Sequence, residues 1–403
     1  MKRMQSFKYE LKLSGVANRL CSRFAGACRY IYNYALALQI SQYETENKKL
    51  NYTALCKVVT SLRQQPEKSW LKEIHSQILQ QSLKDLDRAY KNFFVKRAAF
   101  PRFKRKGIHD AFRFPQGCKL DQKNSRIYLP KIGWTRYRNS REVLGEISNV
   151  TISRSGEKWY VSIQTEREVQ EEMHSSNTAI GIDVGVAKLA TLSDGSNFPA
   201  VNSFAKYQKQ LAKMQRKTSK QDKFSSNWKK AVYKIGRLHR KVAHIRQNYL
   251  HQTTNTICKN HALVFVEDLQ IKNMTKSASG SKTNPGKNVR AKSGLNRAIL
   301  DQGWFEFRRQ LEYKQAWRGG VVVAVSPRNT SRTCPDCGNV CKDNRQTQAQ
   351  FCCVNCGYAN NADVVGAINI LRAGHARLAC GEMVQLGHSM NQEPTEVTQV
   401  FAA

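Results

Sequence analysis

The chain has 403 residues, with 66 Lys or Arg against 30 Asp or Glu, a formal net charge of +36. This length predicts two to four structural units, and an apolar content of 40% is enough to bury a core. The charge favours a polyanionic partner, either nucleic acid or an anionic membrane surface. A membrane-spanning or secreted protein is excluded, because no run approaches the roughly 18 to 20 apolar residues of a spanning helix and the first residues lack a signal-peptide core. We therefore expect an intracellular protein.

The N-terminal part predicts a helical domain placed inside a β-domain. Residues 5–12 alternate polar and apolar side chains, as a half-buried strand does. Residues 14–98 carry helical periodicity, and residues 99–172 contain short alternating runs separated by Gly, Asn and Ser. The first strand can complete the sheet of the later ones, which gives a β-domain of residues 1–13 and 99–172 with residues 14–98 inserted.

A second set of elements follows a polar linker at residues 169–178. The pattern predicts strands at 179–183, 189–192, 261–267 and 321–325, and helices near 203–260, 303–317 and 362–371. Residues 272–296 are rich in Ser, Lys, Gly and Asn and predict a mobile loop. Residues 375–403 show no sustained period and predict a flexible tail.

Six of the 12 cysteines fall between positions 334 and 356, which favours a metal site over disulfides spread along the chain. The candidate zinc ligands form two C-x-x-C pairs separated by fifteen residues: Cys334, Cys337, Cys353 and Cys356. Cys352 could replace Cys353, but only Cys353 keeps the C-x-x-C step, and Cys341 is surplus. Four thiolates leave no open coordination position, so this zinc is expected to be structural.

Three acids are candidates for catalysis. Two apolar strands each end on a carboxylate, Asp183 and Glu267, and Asp363 opens the helix after the cysteine segment. Carboxylates at strand ends can converge on one edge of a sheet and hold Mg²⁺, and two such ions can activate water and stabilise a leaving oxygen. Each acid also has an ordinary structural explanation: Asp183 as a turn residue, Glu267 as the partner of a lysine, and Asp363 as a helix N-terminal acid.

Several ordered motifs resemble the TnpB family, transposon-encoded RNA-guided DNA nucleases related to type V CRISPR effectors. The first are residues 181–185 (GIDVG) and 266–269 (VEDL). Residues 303–305 (GWF) follow, and Thr330-Ser331 precede the first C-x-x-C pair. The resemblance covers the chain from about residue 100 to residue 370, with weaker matches in the helical and N-terminal parts.

The resemblance implies a multidomain α+β fold. A RuvC (RNase H-like) nuclease domain would comprise residues 177–330 and 360–374, with a zinc ribbon at 331–359 inserted before its last helix. Residues 14–98 would be the helical recognition domain, inserted in a wedge-type β-barrel. Mapped onto this sequence, Asp183, Glu267 and Asp363 match the three catalytic acids. Two positions depart from the usual last motif: Asn361 stands where an additional acid is frequent, and Val365-Gly366 replaces the common Asn-Ala.

Cations in two segments are expected to contact nucleic acid. Residues 203–260 hold 15 Lys or Arg and one acid, Asp222, whereas a merely solvated helical face normally mixes signs. The candidates in this segment are Lys213, Arg216, Lys217, Lys229, Lys230, Arg237, Arg240 and Lys241. The second group is Arg102, Lys104, Arg105 and Lys106, for which the resemblance implies contact with the guide or target backbone.

The implied activity is Mg²⁺-dependent cleavage of double-stranded target DNA next to a short flanking motif, directed by a guide RNA copied from the transposon end. We expect a monomer in the prokaryotic cytoplasm, associated with the nucleoid. The alternatives are an RNA-guided repressor or transposition accessory protein that binds without cleaving, and a transposase that joins strands. Retention of all three acids argues against the first, and the order of the motifs argues against the second.

Overall fold

A computed structural model describes residues 2–281, 283–284 and 286–380 of the chain. It divides into two compact units, Met1–Gln170 and Glu171–Ala403, which are considered in turn. No helix in the described part of the chain is long and apolar enough to cross a membrane.

The first unit combines a helical segment with one seven-stranded sheet. Its elements are β1 (Lys2–Lys12), α1 (Gly15–Glu46), α2 (Tyr52–Gln64), a 3₁₀ helix (Pro66–Glu73), α3 (Ser76–Phe94), β2 (Ala111–Phe114), β3 (Lys119–Asp121), β4 (Arg126–Leu129), β5 (Gly133–Tyr137), β6 (Glu146–Ser155) and β7 (Lys158–Glu168). The strand order is β2-β6-β7-β1-β5-β4-β3, so β1 lies in the middle of a sheet whose other strands come much later in the sequence.

The predicted closed β-barrel is wrong, because this sheet is open. β1 pairs with β7 along residues 2–10 and with β5 only at Leu11 and Lys12. The end strands β2 and β3 are four and three residues long. Within the described residues each of them pairs with a single neighbour, β6 and β4 respectively, so no ladder joins the two ends.

One hydrophobic core joins helices and sheet in the first unit. Phe24 of α1 packs edge-on against Phe112 of β2, with ring centroids 5.6 Å apart. Phe112 in turn contacts Trp159 of β7 at 6.2 Å, and the Trp159 indole donates to Asn18 Oδ1 at 2.8 Å. The long helix α1 begins where the Ser14 hydroxyl accepts from the Ala17 amide, a side-chain cap.

The second unit is built on a five-stranded sheet followed by a small two-stranded one. Its elements are β8 (Ala179–Asp183), β9 (Lys188–Leu192), β10 (Asn197–Pro199), α4 (Ser203–Ser219), α5 (Ser226–Asn260), β11 (Leu263–Glu267), α6 (Ile271–Met274), α7 (Val289–Gln302), α8 (Trp304–Arg318), β12 (Val321–Val325), β13 (Gln350–Cys352), β14 (Ala359–Asn361) and α9 (Ala362–Ala379). The order β10-β9-β8-β11-β12 places β8 between an antiparallel and a parallel neighbour.

Helices cover both faces of the five-stranded sheet. Val264 and Val266 of β11 face a core that includes residues of α5 and α8, whereas Phe265 between them packs with Ile370 of α9. α9 lies so close to β8 that a Cβ on Gly181 would stand 2.2 Å from the Ala367 carbonyl oxygen. Glycine at position 181 therefore sets the distance between this helix and the strand that ends on Asp183.

Two expectations for the second unit are wrong in part. The predicted mobile loop 272–296 includes the end of α6 and the first half of α7. α9 extends to Ala379, so the first residues of the predicted tail are helical, and residues 381–403 lie outside the described part.

Candidate active site

Asp183 and Glu267 lie at the carboxyl ends of adjacent parallel strands. The β8–β11 register pairs Ile182 with Val266, so the two acids follow directly on neighbouring strands. The three central residues of both strands are buried, as expected for a sheet covered on both faces. Ligands of open α/β sheets bind outside the carboxyl ends of strands at points where the strand order reverses, and β8 is such a point here.

Asp363 reaches the same edge from the first turn of α9. The Asn361 side chain caps this helix by accepting from the Asp363 amide at 3.0 Å, which gives a structural role to the residue that departs from the family motif. One turn later, a Cβ on Gly366 would lie 3.2 Å from Asp183 Oδ2. The glycine at position 366 thus lets α9 lie directly against the Asp183 carboxylate.

Asp183 lies within electrostatic reach of both other carboxylates. Burial raises the pKa of Asp183 to about 7, and the negative charges of Glu267 and Asp363 add to the increase. Burial also raises the pKa of Glu267. Acids that lie close together in a partly buried site resist ionisation, and a divalent cation relieves that cost.

Two residues that the sequence did not single out as functional contact these acids. The Thr330 hydroxyl donates to Glu267 Oε1 at 2.7 Å, which favours the ionised form. Arg345, in the cysteine-rich segment, lies 3.8 Å from Asp363 Oδ1 and lowers the pKa of both Asp183 and Glu267. Thr330 belongs to the motif before the first cysteine pair, which carries part of the family resemblance but gave it no role, whereas no local pattern marks Arg345.

The carboxylates suit Mg²⁺, although they do not form a closed cage. Over the described residues, the four cysteines are the one group of at least three His, Cys, Asp or Glu whose ligand atoms all lie within 4.8 Å of one another. At least one pair of the three acids is therefore farther apart than this. Asp268, the next residue after Glu267, instead pairs with Arg308 at 2.7 Å.

The four predicted zinc cysteines converge in space. Cys334 Sγ lies 3.6 Å from Cys356 Sγ, and Cys337 Sγ lies 3.5 Å from Cys353 Sγ. The Cys356 and Asn355 amides donate to the Cys353 sulfur and lower its pKa to about 6, which favours the thiolate that a metal requires. This donor set fits zinc.

The backbone around the cysteines has the tight turns of two metal-binding knuckles. Gly338 and Gly357 have φ angles of 74° and 76°, and each donates its amide to the carbonyl of the first cysteine of its pair at 3.0 Å. The buried Asn344 links the two knuckles: its amide group donates to the Asn339 carbonyl while its oxygen accepts from the Val354 amide. Cys341 and Cys352 are outside the group.

The basic helices carry the predicted cations on an exposed surface. Seven of the eight candidates in α4 and α5 are exposed, and Arg240 is half-buried. A cavity of about 380 Å³ between the two helices is lined by Lys234, Arg237 and Lys241 together with Gln210 and Met214. Nucleic-acid contact by the individual cations stays a prediction.

Asp301 of α7 fixes the start of α4. It is 4% exposed, and its carboxylate accepts from the Ser203 hydroxyl and the Phe204 and Ala205 amides at 2.8–3.0 Å. It also lies 3.7 Å from Arg246 of α5. Asp301 therefore replaces the missing side-chain cap of α4 and links the two basic helices to α7.

Asp301→Ala is expected to destabilise the start of α4 by about 2 kcal/mol, because it removes the cap and leaves buried donors without acceptors. Hydrogen exchange should accelerate in the first turns of α4 and remain slow in β11. Asp301→Asn keeps one acceptor oxygen and should therefore destabilise the start of α4 less than Asp301→Ala does. Unchanged exchange in α4 of the alanine variant would contradict this role.

In the second basic segment, Arg102, Arg105 and Lys106 are exposed. Lys104 differs, since its ammonium lies 4.1 Å from the Tyr32 ring centroid and 4.0 Å from Asp85, and burial lowers its pKa. Lys104 therefore has partners within the protein, and among the described residues no ion pair involves the other three cations.

Comparison with known proteins places the chain in a family. A model named for OrfB of IS605 elements and described as "Probable transposase" matches residues 162–278, a Cas12f1-like TNB domain matches 304–370, and an OrfB helix-turn-helix domain matches 1–49. An Escherichia coli K12 protein named "Putative RNA-guided DNA endonuclease InsQ" is 58% identical over 402 residues, covering 100% of both chains. The chain belongs to the OrfB (TnpB) family.

Other matches of this TnpB-family chain agree. A Streptomyces pristinaespiralis protein named "Putative RNA-guided DNA endonuclease" is 30% identical to this chain. The alignment covers 98% of this chain and 97% of the Streptomyces protein. Among solved structures, a Cas12f1–sgRNA–target DNA complex matches with a TM-score of 0.51 at 15% identity, over 89% of this chain and 83% of that one. The chain therefore has a mixed α/β fold similar to that of Cas12f1.

Proposed function

We propose that this chain is an RNA-guided DNA endonuclease whose cleavage site is the edge of the second sheet. The observation that carries the proposal is the convergence of Asp183, Glu267 and Asp363 from β8, β11 and α9, with the pKa of Asp183 raised to about 7 by burial and by the other two acids. Surfaces for the nucleic acids would be the cations of α4 and α5 and of residues 102–106. The names of its relatives support the same activity.

The three acids would hold catalytic Mg²⁺, two ions in the expected arrangement. When bound, Mg²⁺ supplies Lewis-acid activation of the phosphate and of the attacking water. The Thr330 hydroxyl orients the Glu267 carboxylate and offsets part of the rise in its pKa that burial causes. Arg345 offsets part of the negative charge near Asp363 and can neutralise a phosphate oxygen that enters the site. Partial burial of Asp183 limits the access of bulk water to its carboxylate.

The remaining parts follow the family arrangement. Residues 177–330 and 360–374 would form the RuvC-like domain, and helices on both faces of its sheet support this assignment. Residues 331–359 would be the zinc ribbon, residues 14–98 the recognition domain, and residues 1–13 and 99–172 the wedge-type domain. The partners would be a guide RNA from the transposon end and double-stranded DNA at the nucleoid, with the protein acting as a monomer.

The decisive experiment is to express the chain with its flanking transposon DNA, isolate and sequence the RNA that co-purifies, and retarget that RNA to a plasmid with a randomised flank. We expect a co-purifying transposon-end RNA and Mg²⁺-dependent cutting of matched plasmids that share one flanking motif. Tight, guided binding without cutting would instead support the repressor. Strand joining without bound RNA would support the transposase.

A further inference from the structure

The solvent side of β1, β5, β4 and β3 carries an unusual arrangement of cations and aromatic rings. We call it the aromatic–cation face, and it consists of Lys12, Lys119, Arg126, Tyr128, Trp134 and Arg136, with one acid, Asp121. The alternate residues of the same strands, such as Ile127, Leu129 and Tyr137, are buried on the opposite side. All of its cations and Trp134 are exposed.

Strand register places three of these cations side by side. Lys12 of β1 is opposite Arg136 of β5, which is opposite Arg126 of β4. Like charges directly opposite each other destabilise a sheet. Arg126 pairs with Asp121 at 3.2 Å, but in the described part of the chain no ion pair joins Lys12 or Arg136 to an acid. Repulsion within this row of cations therefore destabilises the sheet, and a bound polyanion would remove that repulsion.

The next row is aromatic. Trp134 is opposite Tyr128, with ring centroids 5.6 Å apart, and Tyr128 is opposite Lys119. The Trp134 side chain is 51% exposed although it is one of the largest apolar groups in the unit. The Arg126 guanidinium lies 5.8 Å from the centroid of the Trp134 ring. Exposed rings beside a row of cations are the chemistry that stacks bases while holding the connecting phosphates.

A concave region adjoins the cation row. A cavity of about 470 Å³ is lined by Lys12, Arg136 and Arg138 together with the polar side chains of Asn124 and Asn139. Arg138 lies 3.8 Å from Glu10, so among the described residues Lys12 and Arg136 are the cations of this cavity without an acidic partner. Its size and charge suit a phosphate group with its sugar.

We infer that the aromatic–cation face binds unpaired nucleotides, with bases stacked at Trp134 and Tyr128 and phosphates along the row Lys12–Arg136–Arg126. Single strands fit better than a duplex, because duplex bases are already stacked on each other and cannot cover an exposed ring. An anionic membrane fits less well, since the face offers two aromatic side chains and little other apolar area. This binding does not depend on the proposed cleavage.

The test is fluorescence anisotropy of the full chain with a labelled 12-nucleotide RNA, the matching DNA strand, a 12-base-pair duplex and anionic vesicles. Trp134→Leu should weaken single-strand binding about tenfold, the effect of losing one stacked base, whereas Trp134→Phe should stay within about twofold of the wild type. Phe305→Leu, at a residue that is 72% exposed on α8, is the matched control and should change nothing.

The cation row has a separate readout. Arg136→Gln should lower single-strand affinity and reduce the slope of log affinity against log salt by about 0.7, while raising Tm because the like-charged row is relieved. Lys57→Gln, at an exposed cation of α2, is the control and should change neither the single-strand affinity nor the Tm. If the variants lose only RNA binding, the ligand is a guide-type RNA; if they lose only single-stranded DNA binding, it is a displaced DNA strand. Either result supports the inference. Wild-type affinity of Trp134→Leu, or equal losses on duplex or vesicles, would overturn it.

Discussion

Asp183→Asn is expected to abolish DNA cleavage and, in the metal-free protein above pH 7, to raise the stability of the second unit. Loss of one carboxylate from the proposed Mg²⁺ site removes several kcal/mol of transition-state stabilisation, so the cutting rate should fall at least about 1,000-fold. Binding of guide RNA and matched DNA should be almost unchanged, because Asp183 is one half-buried carboxylate and a carboxylate repels phosphate unless a cation lies between them.

The stability change has a definite dependence on pH. In the folded protein the pKa of Asp183 is raised from 3.8 to about 7, so folding favours its protonated form. The associated stability is fully present below pH 3.8 and is lost as the pH rises through about 7. A shift of this size corresponds to about 4 kcal/mol, or several degrees in Tm, between pH 4 and pH 8. The neutral asparagine avoids this loss.

Thermal unfolding at pH 5 and pH 8, with chelator and then with Mg²⁺, tests both halves of the prediction. Mg²⁺ should raise the Tm of the wild type at pH 8 and have little effect on Asp183→Asn. Asp268→Asn is the matched control, because this acid follows Glu267 directly but pairs with Arg308. It should cleave at the wild-type rate. Wild-type cutting by Asp183→Asn would disprove the site, and an unchanged Tm at pH 8 would disprove the electrostatic argument.

Local pattern was informative where a single element determines a residue's position. Asp183 and Glu267 end apolar strands, so their place at the carboxyl edge of the sheet follows from hydrophobic periodicity and from the rule that parallel strands share an edge. The four cysteines converge because two C-x-x-C turns constrain their own backbones. In both cases the chemistry is encoded within a few neighbouring residues.

Features that depend on register or on packing between distant elements could not be predicted in the same way. Arg345 comes near Asp363 only after the cysteine-rich segment folds onto α9, and Asp301 caps a helix almost 100 residues earlier in the chain. The aromatic–cation face depends on cross-strand partners such as Lys12 and Arg136. The barrel that the resemblance implied was wrong for a related reason, because no local pattern determines whether the short end strands β2 and β3 pair with each other.

Replacing one predicted zinc ligand should have a comparably large effect through the fold. Cys353→Ser is expected to reduce zinc affinity by more than about 100-fold and to unfold residues 331–359, since structural zinc supplies on the order of 10 kcal/mol to small metal-stabilised domains. The ribbon has little else to hold it, because its small core consists of two of the cysteines and Phe351, packed on Ala362 and Val365 of α9.

That packing should connect zinc to cleavage. Ala362 and Val365 flank Asp363 in the first turns of α9, and Arg345 reaches Asp363 from the ribbon. Asn369 of α9 donates to the carbonyl of Thr330, the residue that holds Glu267. Unfolding of the ribbon therefore removes support from two of the three acids, and Cys353→Ser should lose cleavage although no cysteine touches them.

Zinc content by mass spectrometry, hydrogen exchange over residues 331–359 and the plasmid assay together test this coupling. Cys352→Ser and Cys341→Ser are the matched controls, because neither cysteine belongs to the four-sulfur group, and both should keep one zinc per chain. Chelation of the wild type should reproduce the Cys353→Ser exchange pattern, and zinc should reverse it. If Cys353→Ser keeps its zinc while Cys352→Ser loses it, the second pair is instead formed with Cys352. Full cleavage by a zinc-free protein would show that the acids keep their geometry without the ribbon.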